Sequence, residues 1–284
     1  MQSLWMIVAS FYFACMGLGV KLAAEIYSPA EIVFYRSVIN LLMIFLLVRA
    51  RGIPIRTVHW RFQLGRSASG FISLLLYFNA ISMLPLATAA TLSYTSPLFL
   101  AAYLGWFGKA PLGRGMIVAL VMGFLGVALL LRPTLHADQL LGGLLALGSG
   151  MVAGIAYYNV KELGARGEVV ERTVFYFSLL ATVASGIWMS FFEWHRVDLR
   201  GGLLLLLVGG SGTIAQLAMT RAYQRGNTLL AASLAYSTVI FASLFGMLVW
   251  RETLSLGAWL AIALIVASGV VSTWFSRANP AEQD

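Results

Sequence analysis

Residues 86–99 read LATAATLSYTSPLF, and residues 228–241 read TLLAASLAYSTVIF. The second stretch lies 142 residues after the first, half the length of the 284-residue chain. At that offset Ala89 and Ala90 fall on Ala231 and Ala232, Leu92-Ser93-Tyr94 on Leu234-Ala235-Tyr236, and Phe99 on Phe241. The register extends outward in both directions. Gly70, Ile72, Leu75 and Ala80 fall on Gly212, Ile214, Leu217 and Ala222, and Lys109, Leu112 and Gly115 on Arg251, Leu254 and Gly257. One residue less of shift aligns Val33-Phe34-Tyr35-Arg36-Ser37 with Val174-Phe175-Tyr176-Phe177-Ser178, and two less aligns Val20-Lys21 with Val160-Lys161. Coincidences of Leu, Ala and Gly come easily in an apolar chain. A near-constant offset carrying tyrosine and Phe-Tyr matches does not. The chain therefore reads as two homologous halves, 1–135 and 136–276, followed by a short polar tail at 277–284.

Each half is made of long apolar blocks. The chain is 60% hydrophobic and 11% charged, against about 25% charge in a typical soluble domain. A spanning helix needs roughly 20 apolar residues, and the blocks divide into ten: 3–24, 29–48, 65–83, 86–107, 113–131, 140–160, 173–192, 201–222, 227–249 and 255–275. Ser28-Pro29, Leu84-Pro85, Arg132-Pro133 and Gly226-Asn227 punctuate them, as turn-forming dipeptides do. The predicted fold is an all-α integral membrane protein of about ten transmembrane helices. Five spans per half is an odd number, so the second half enters the bilayer from the opposite side. Two inverted five-helix repeats are characteristic of secondary transporters. The first span lacks a basic n-region of the kind a signal peptide carries and has a partner in the sixth, so it reads as a retained helix.

Charge sets an orientation. With the N-terminus cytoplasmic, inward segments carry thirteen Lys and Arg residues, among them Arg49, Arg51, Arg56, Arg61 and Arg66 after the second span, and outward segments carry five. The positive-inside rule then places both termini in the cytoplasm of a bacterial-type inner membrane. The formal charge of +8 is accounted for by this bias and implies no nucleic-acid partner. His59, His136 and His195 are scattered through loops, and Cys15 is the only cysteine, so no metal site, cofactor or intrachain disulfide is expected. Phosphate-binding and nucleophile-elbow motifs are missing, and no carboxylate falls mid-span, which argues against an ATPase, an enzyme or a membrane-embedded proton relay.

Phe34-Tyr35-Arg36 in the second span, Leu84-Pro85-Leu86-Ala87-Thr88-Ala89 entering the fourth, Tyr94-Thr95-Ser96-Pro97-Leu98-Phe99 after it, and Arg251-Glu252-Thr253-Leu254 before the tenth give the chain a family likeness. Over its full length it resembles the EamA family of the drug/metabolite transporter superfamily, which includes YddG-like exporters of aromatic and other amino acids. It departs from the family pattern where Ala110 stands opposite Glu252. The resemblance implies a central cavity lined by spans 1, 3, 4, 6, 8 and 9. It also implies packing or homodimer contacts through spans 5 and 10.

Within that frame Tyr94 and Tyr236 form a symmetry pair, each flanked by hydroxyls at Thr95 and Ser96 or at Ser237 and Thr238. A ring with a polar tip suits an amphipathic ligand; packing between helices is the alternative. Tyr77, Phe78 and Asn79, Tyr157, Tyr158 and Asn159, and Gln216 are further candidates, since amides within a span need a partner on another helix or on a ligand. Arg36 lies about two turns into its span. It is either a substrate contact or a structural residue paired with Glu31 or Glu25. Lys21 and Lys161 are gates or interfacial anchors. Gly123, Gly126, Gly150, Gly154, Gly209, Gly210 and Gly212 read chiefly as close-packing positions, with a hinge at Gly209-Gly210 the alternative. The function these readings favour is export of small amphipathic metabolites, amino acids including aromatic ones, by alternating access through the central cavity. Uptake of a nucleoside-like or cofactor metabolite on the same fold is the runner-up, and a membrane scaffold or enzyme the alternative of another class.

Overall fold

The computed structural model describes residues 1–84, 86–107, 113–131, 139–191, 194–250 and 256–278. Pro85, the Lys109–Ala110 segment, Pro133, His136, the Arg251–Leu254 turn and the end of the tail lie outside the described residues. A 3-10 turn at Gln2–Leu4 leads into α1 (Trp5–Ala23), α2 (Pro29–Ala50), α3 (Trp60–Met83), α4 (Leu86–Ser93), α5 (Ser96–Phe107) and α6 (Arg114–Leu131). The second half comprises α7 (Leu140–Ala165), α8 (Val170–Met189), α9 (Leu199–Arg225), α10 (Thr228–Leu234), α11 (Ser237–Trp250) and α12 (Leu256–Ala278). Pairing α4 with α5 and α10 with α11 gives ten spans. Among the described residues, six spans are long and apolar enough to qualify as membrane-crossing on those grounds alone. The others are shorter, broken, or dotted with polar residues, as α3 is with Gln63, Arg66, Ser67 and Ser69, all buried.

Local chemistry sets the helix starts. Ser28 caps α2 by accepting from the Glu31 amide at 3.3 Å, while the Glu31 carboxylate accepts from the Ser28 amide at 2.8 Å, a reciprocal capping box. Asp198 caps α9 at the Gly201 amide, and Asn227 caps α10 at the Leu230 amide.

Packing runs mostly between the halves. Helix α3 lies along α7 and α1 along α9; α2 faces α8, and α6 faces α12. Exchanging the halves turns the first pair into the second and the last two into themselves, as a pseudo-twofold axis in the membrane requires. Close helix approach in lipid depends on small side chains. A Cβ on Gly126 would sit 2.8 Å from Ile265, and one on Gly209 would sit 2.6 Å from Ile39. Gly209 is thus a packing position in an α9 that runs unbroken through it. Large apolar side chains such as Leu42, Leu46, Leu203, Leu206, Leu260 and Val270 face outward, the surface that meets lipid.

Candidate functional site

The breaks between α4 and α5 and between α10 and α11 fall at Tyr94-Thr95 and Ala235-Tyr236, equivalent places in the two halves. The sequence reading treats both as continuous spans, which is a correction. At each break the backbone ladder tightens: Thr95 N–H donates to Leu92 at 3.3 Å, and Tyr236 N–H to Ser233 at 3.3 Å. Hydroxyls add a further bond to carbonyls at the breaks. Thr95 donates to the Leu92 carbonyl at 2.6 Å, Ser237 to that of Leu234 at 2.7 Å and Thr238 to that of Ala235 at 2.9 Å. Non-helical backbone at membrane depth is tolerated where it is buried in protein or lines a cavity.

Both breaks open onto a cavity of about 150 Å³ between the halves. Its walls come from α1, α3, α7, α9 and the two broken spans, with Arg36 added from α2 and Phe177 from α8. Repeat-equivalent positions line it with unlike chemistry: Tyr77 opposite Met219, Ser93 opposite Ala235, Arg36 opposite Phe177, while Ser96 and Thr238 keep a hydroxyl in both halves. The backbone is pseudo-symmetric and the site is not.

Of the predicted site residues, the structure gathers Arg36, Tyr77, Phe78, Tyr94, Ser96, Tyr157, Gln216 and Thr238 around this cavity. It turns the others away. Tyr236 is fully buried and packs against α6, where a Cβ on Gly123 would lie 2.5 Å from its ring. The repeat counterpart of Gly123 is Ile265 on α12, so the small residue that receives the Tyr236 ring is not repeated for Tyr94. Thr95 and Ser237 spend their hydroxyls on the breaks. Asn79 and Asn159 donate to carbonyls of their own helices at 2.8 and 2.9 Å. Tyr158 packs on Phe107. Lys21 is exposed, and Lys161 lies 3.7 Å from Glu162.

Arg36 is not the outer-interface residue paired with an acid that one reading of the sequence allowed. It is 1% exposed. Glu31 instead holds the Ser28 amide, the His195 amide at 2.7 Å and the His195 ring Nδ1 at 2.9 Å, and Glu25 faces Arg200 at 3.7 Å.

The residue that sequence reasoning misplaced is Arg66. Counted with the basic loop after the second span, it is 2% exposed inside α3. Its Nη2 donates to Gln216 Oε1 at 3.0 Å, and its guanidinium lies 4.4 Å over the Phe177 ring, a cation–π geometry. The signal was the concentration of polar residues from Gln63 to Ser69 within a span, of which Arg66 reaches the cavity. Tyr157 and Tyr223, stacked at 4.9 Å, complete this end. Ser149 joins Ser73 and Ser93 by hydroxyl contacts of 3.2 Å each. The cavity thus offers cationic donors, a hydroxyl cluster and aromatic faces. Among the described residues no group of three metal-ligating side chains exists.

The EamA-like transporter family model matches residues 1–132 and again residues 140–274. This chain belongs to that family. A solved crystal structure shares this fold, superposing with a TM-score of 0.85 at 20% identity and covering 97% of this chain and 98% of the other. The pseudopaline exporter CntI of Pseudomonas aeruginosa (strain UCBPP-PA14) is 31% identical over 267 residues, 93% of this chain and 90% of its own. The riboflavin transporter of Vibrio cholerae serotype O1 is 24% identical over 290 residues, 99% of this chain and 96% of its own. As an EamA-like protein the chain is a multi-pass membrane transporter.

Proposed function

We propose that the chain is a secondary transporter that exports small amphipathic metabolites, amino acids and related compounds among them, by alternating access around the central cavity. One observation carries this reading: two helices broken at repeat-equivalent points open onto one cavity between the halves. Inverted-repeat transporters bind substrate at that place, with discontinuous helices supplying backbone and side-chain contacts. The tyrosine faces at Tyr77 and Tyr94 suit the apolar part of a substrate, and Ser93, Ser96, Ser149 and Thr238 its polar part. The 31% identity to a protein named as an exporter supports the direction.

A second reading is uptake of a nucleoside-like cofactor. The stacked Tyr157–Tyr223 pair on the cavity wall offers a face for a fused planar ring, and the likeness to a riboflavin transporter points the same way. Purified protein in liposomes, assayed for exchange of a labelled amino-acid panel against a riboflavin and nucleoside panel, separates the two. Exchange confined to the amino-acid panel supports the first reading. Exchange confined to riboflavin or nucleosides replaces it with the second. No exchange of any compound, with correctly inserted protein, removes both.

A further inference from the structure

Two guanidinium groups face the central cavity, and among the described residues no carboxylate does. Arg36 gives its Nε to the Met16 sulfur at 3.2 Å, and its two terminal nitrogens have no hydrogen-bond partner among the described residues. Arg66 spends one nitrogen on neutral Gln216, and its Nε has no hydrogen-bond partner among the described residues. A thioether is a weak acceptor, and neither an amide nor a ring returns charge. A guanidinium stays protonated. The cavity therefore holds two formal positive charges inside the membrane without a counter-ion, an arrangement that is costly unless something anionic arrives to share it. The nearest acid on α2, Glu31, is already saturated by Ser28 and His195.

Position adds a second argument. Both arginines are seated on α9: Arg36 beside Gly212, where a Cβ would lie 3.1 Å from Nε, and Arg66 on Gln216. These anchors are four residues apart, roughly 6 Å along a helix. Gly70, the repeat counterpart of Gly212, backs Arg66 in turn, since a Cβ there would fall within 2.1 Å of Nη1. Paired glycines thus seat two forked donors at separate points of the cavity wall.

We propose that the transported molecule is a dianion, an amphipathic dicarboxylate whose two acidic groups are received separately by Arg36 and Arg66. Its apolar body lies along Tyr77 and Tyr94. This rests on the transporter reading and narrows its substrate class. Two separated forks fit two carboxylates better than one phosphate, whose oxygens converge on a single centre.

The test measures binding to purified full-length protein by calorimetry, with four probes: phenylsuccinate, 3-phenylpropionate, L-phenylalanine and phenyl phosphate. Phenylsuccinate is expected to bind about tenfold or more tightly than the monoacid or the zwitterion, the scale of one additional charge-assisted contact. Arg36→Gln and Arg66→Gln are each expected to remove that preference, and the Lys variants to retain part of it. Melting temperature reports whether a variant is folded. Equal affinity for L-phenylalanine and phenylsuccinate overturns the proposal. So does tighter binding of phenyl phosphate, the absence of saturable phenylsuccinate binding, or unchanged affinity in folded Gln variants. Exchange in liposomes separates this proposal from the reading beneath it. Selective binding of phenylsuccinate without exchange leaves the dianion site standing and removes the transporter. Exchange of L-phenylalanine as fast as phenylsuccinate does the reverse.

Discussion

Tyr94 and Tyr236 occupy equivalent positions, yet one lines the cavity and the other fills a notch beside Gly123. The two rings are therefore expected to respond differently to truncation. Tyr94→Ala should weaken substrate affinity several-fold, about 1 kcal/mol for one aromatic contact, with the melting temperature nearly unchanged. Tyr236→Ala should destabilise the fold by about 3 kcal/mol, as deletion of a buried ring does, while the protein that survives binds normally. Ligand titration and thermal melts on the two purified variants measure both effects; the reverse pattern would place Tyr236, not Tyr94, at the site. Sequence periodicity locates both tyrosines at mid-depth but not their rotation about the helix, because in lipid the outer face of a span is as apolar as its packed face. The same blindness hid Arg66. A basic residue near a basic loop looks solvated, and only the packing of α3 against α7 and α8, with Arg66 reaching Gln216 on α9, shows it turned inward.

The broken spans show what a continuous apolar run conceals. Hydropathy counts side chains, whereas the break at Tyr94-Thr95 lies in the backbone, with the Thr95 hydroxyl adding a bond to the Leu92 carbonyl and α7 approaching closely. A Cβ on Gly150 would sit 2.5 Å from Thr95 Oγ1 and 2.8 Å from the Ser93 carbonyl. Gly150→Ala is therefore expected to cost about 1–3 kcal/mol in stability, the usual penalty for overpacking, and to slow exchange by displacing the break. Gly148→Ala, whose Cβ would meet only Leu76 at an ordinary 3.7 Å, serves as the comparison and should leave both unchanged. Equal melts and equal exchange rates in the two variants would mean that α7 does not hold the break in place. The helix starts, by contrast, were legible. Ser28, Pro29 and Asn227 cap or begin the elements their chemistry favours, because capping is decided within four residues.

At the level of the molecule, the two-half plan was readable because an offset of half the chain is a long-range regularity that needs no knowledge of packing. The orientation rests on charge alone. A periplasm-dependent reporter fused after Asp284 is expected to be silent, and strong activity would place the termini outside. A cavity walled without carboxylates has no group to carry a coupling proton, so substrate exchange in liposomes is expected to continue with both the pH gradient and the potential collapsed. Loss of exchange under those conditions would reveal a coupling ion. The two uncompensated arginines have an electrical consequence as well. A carrier that bears two fixed positive charges is neutral when filled by a dianion and doubly charged when empty, so the voltage across the bilayer acts on the unloaded return step and not on the loaded crossing. An interior-negative potential, at about 2.3 kcal/mol per charge per 100 mV, draws the vacant site toward the cytoplasm and readies it to load from that side. Net efflux should then rise with voltage while one-for-one exchange stays indifferent to it. The direction of pumping would be written in the charge of the empty protein.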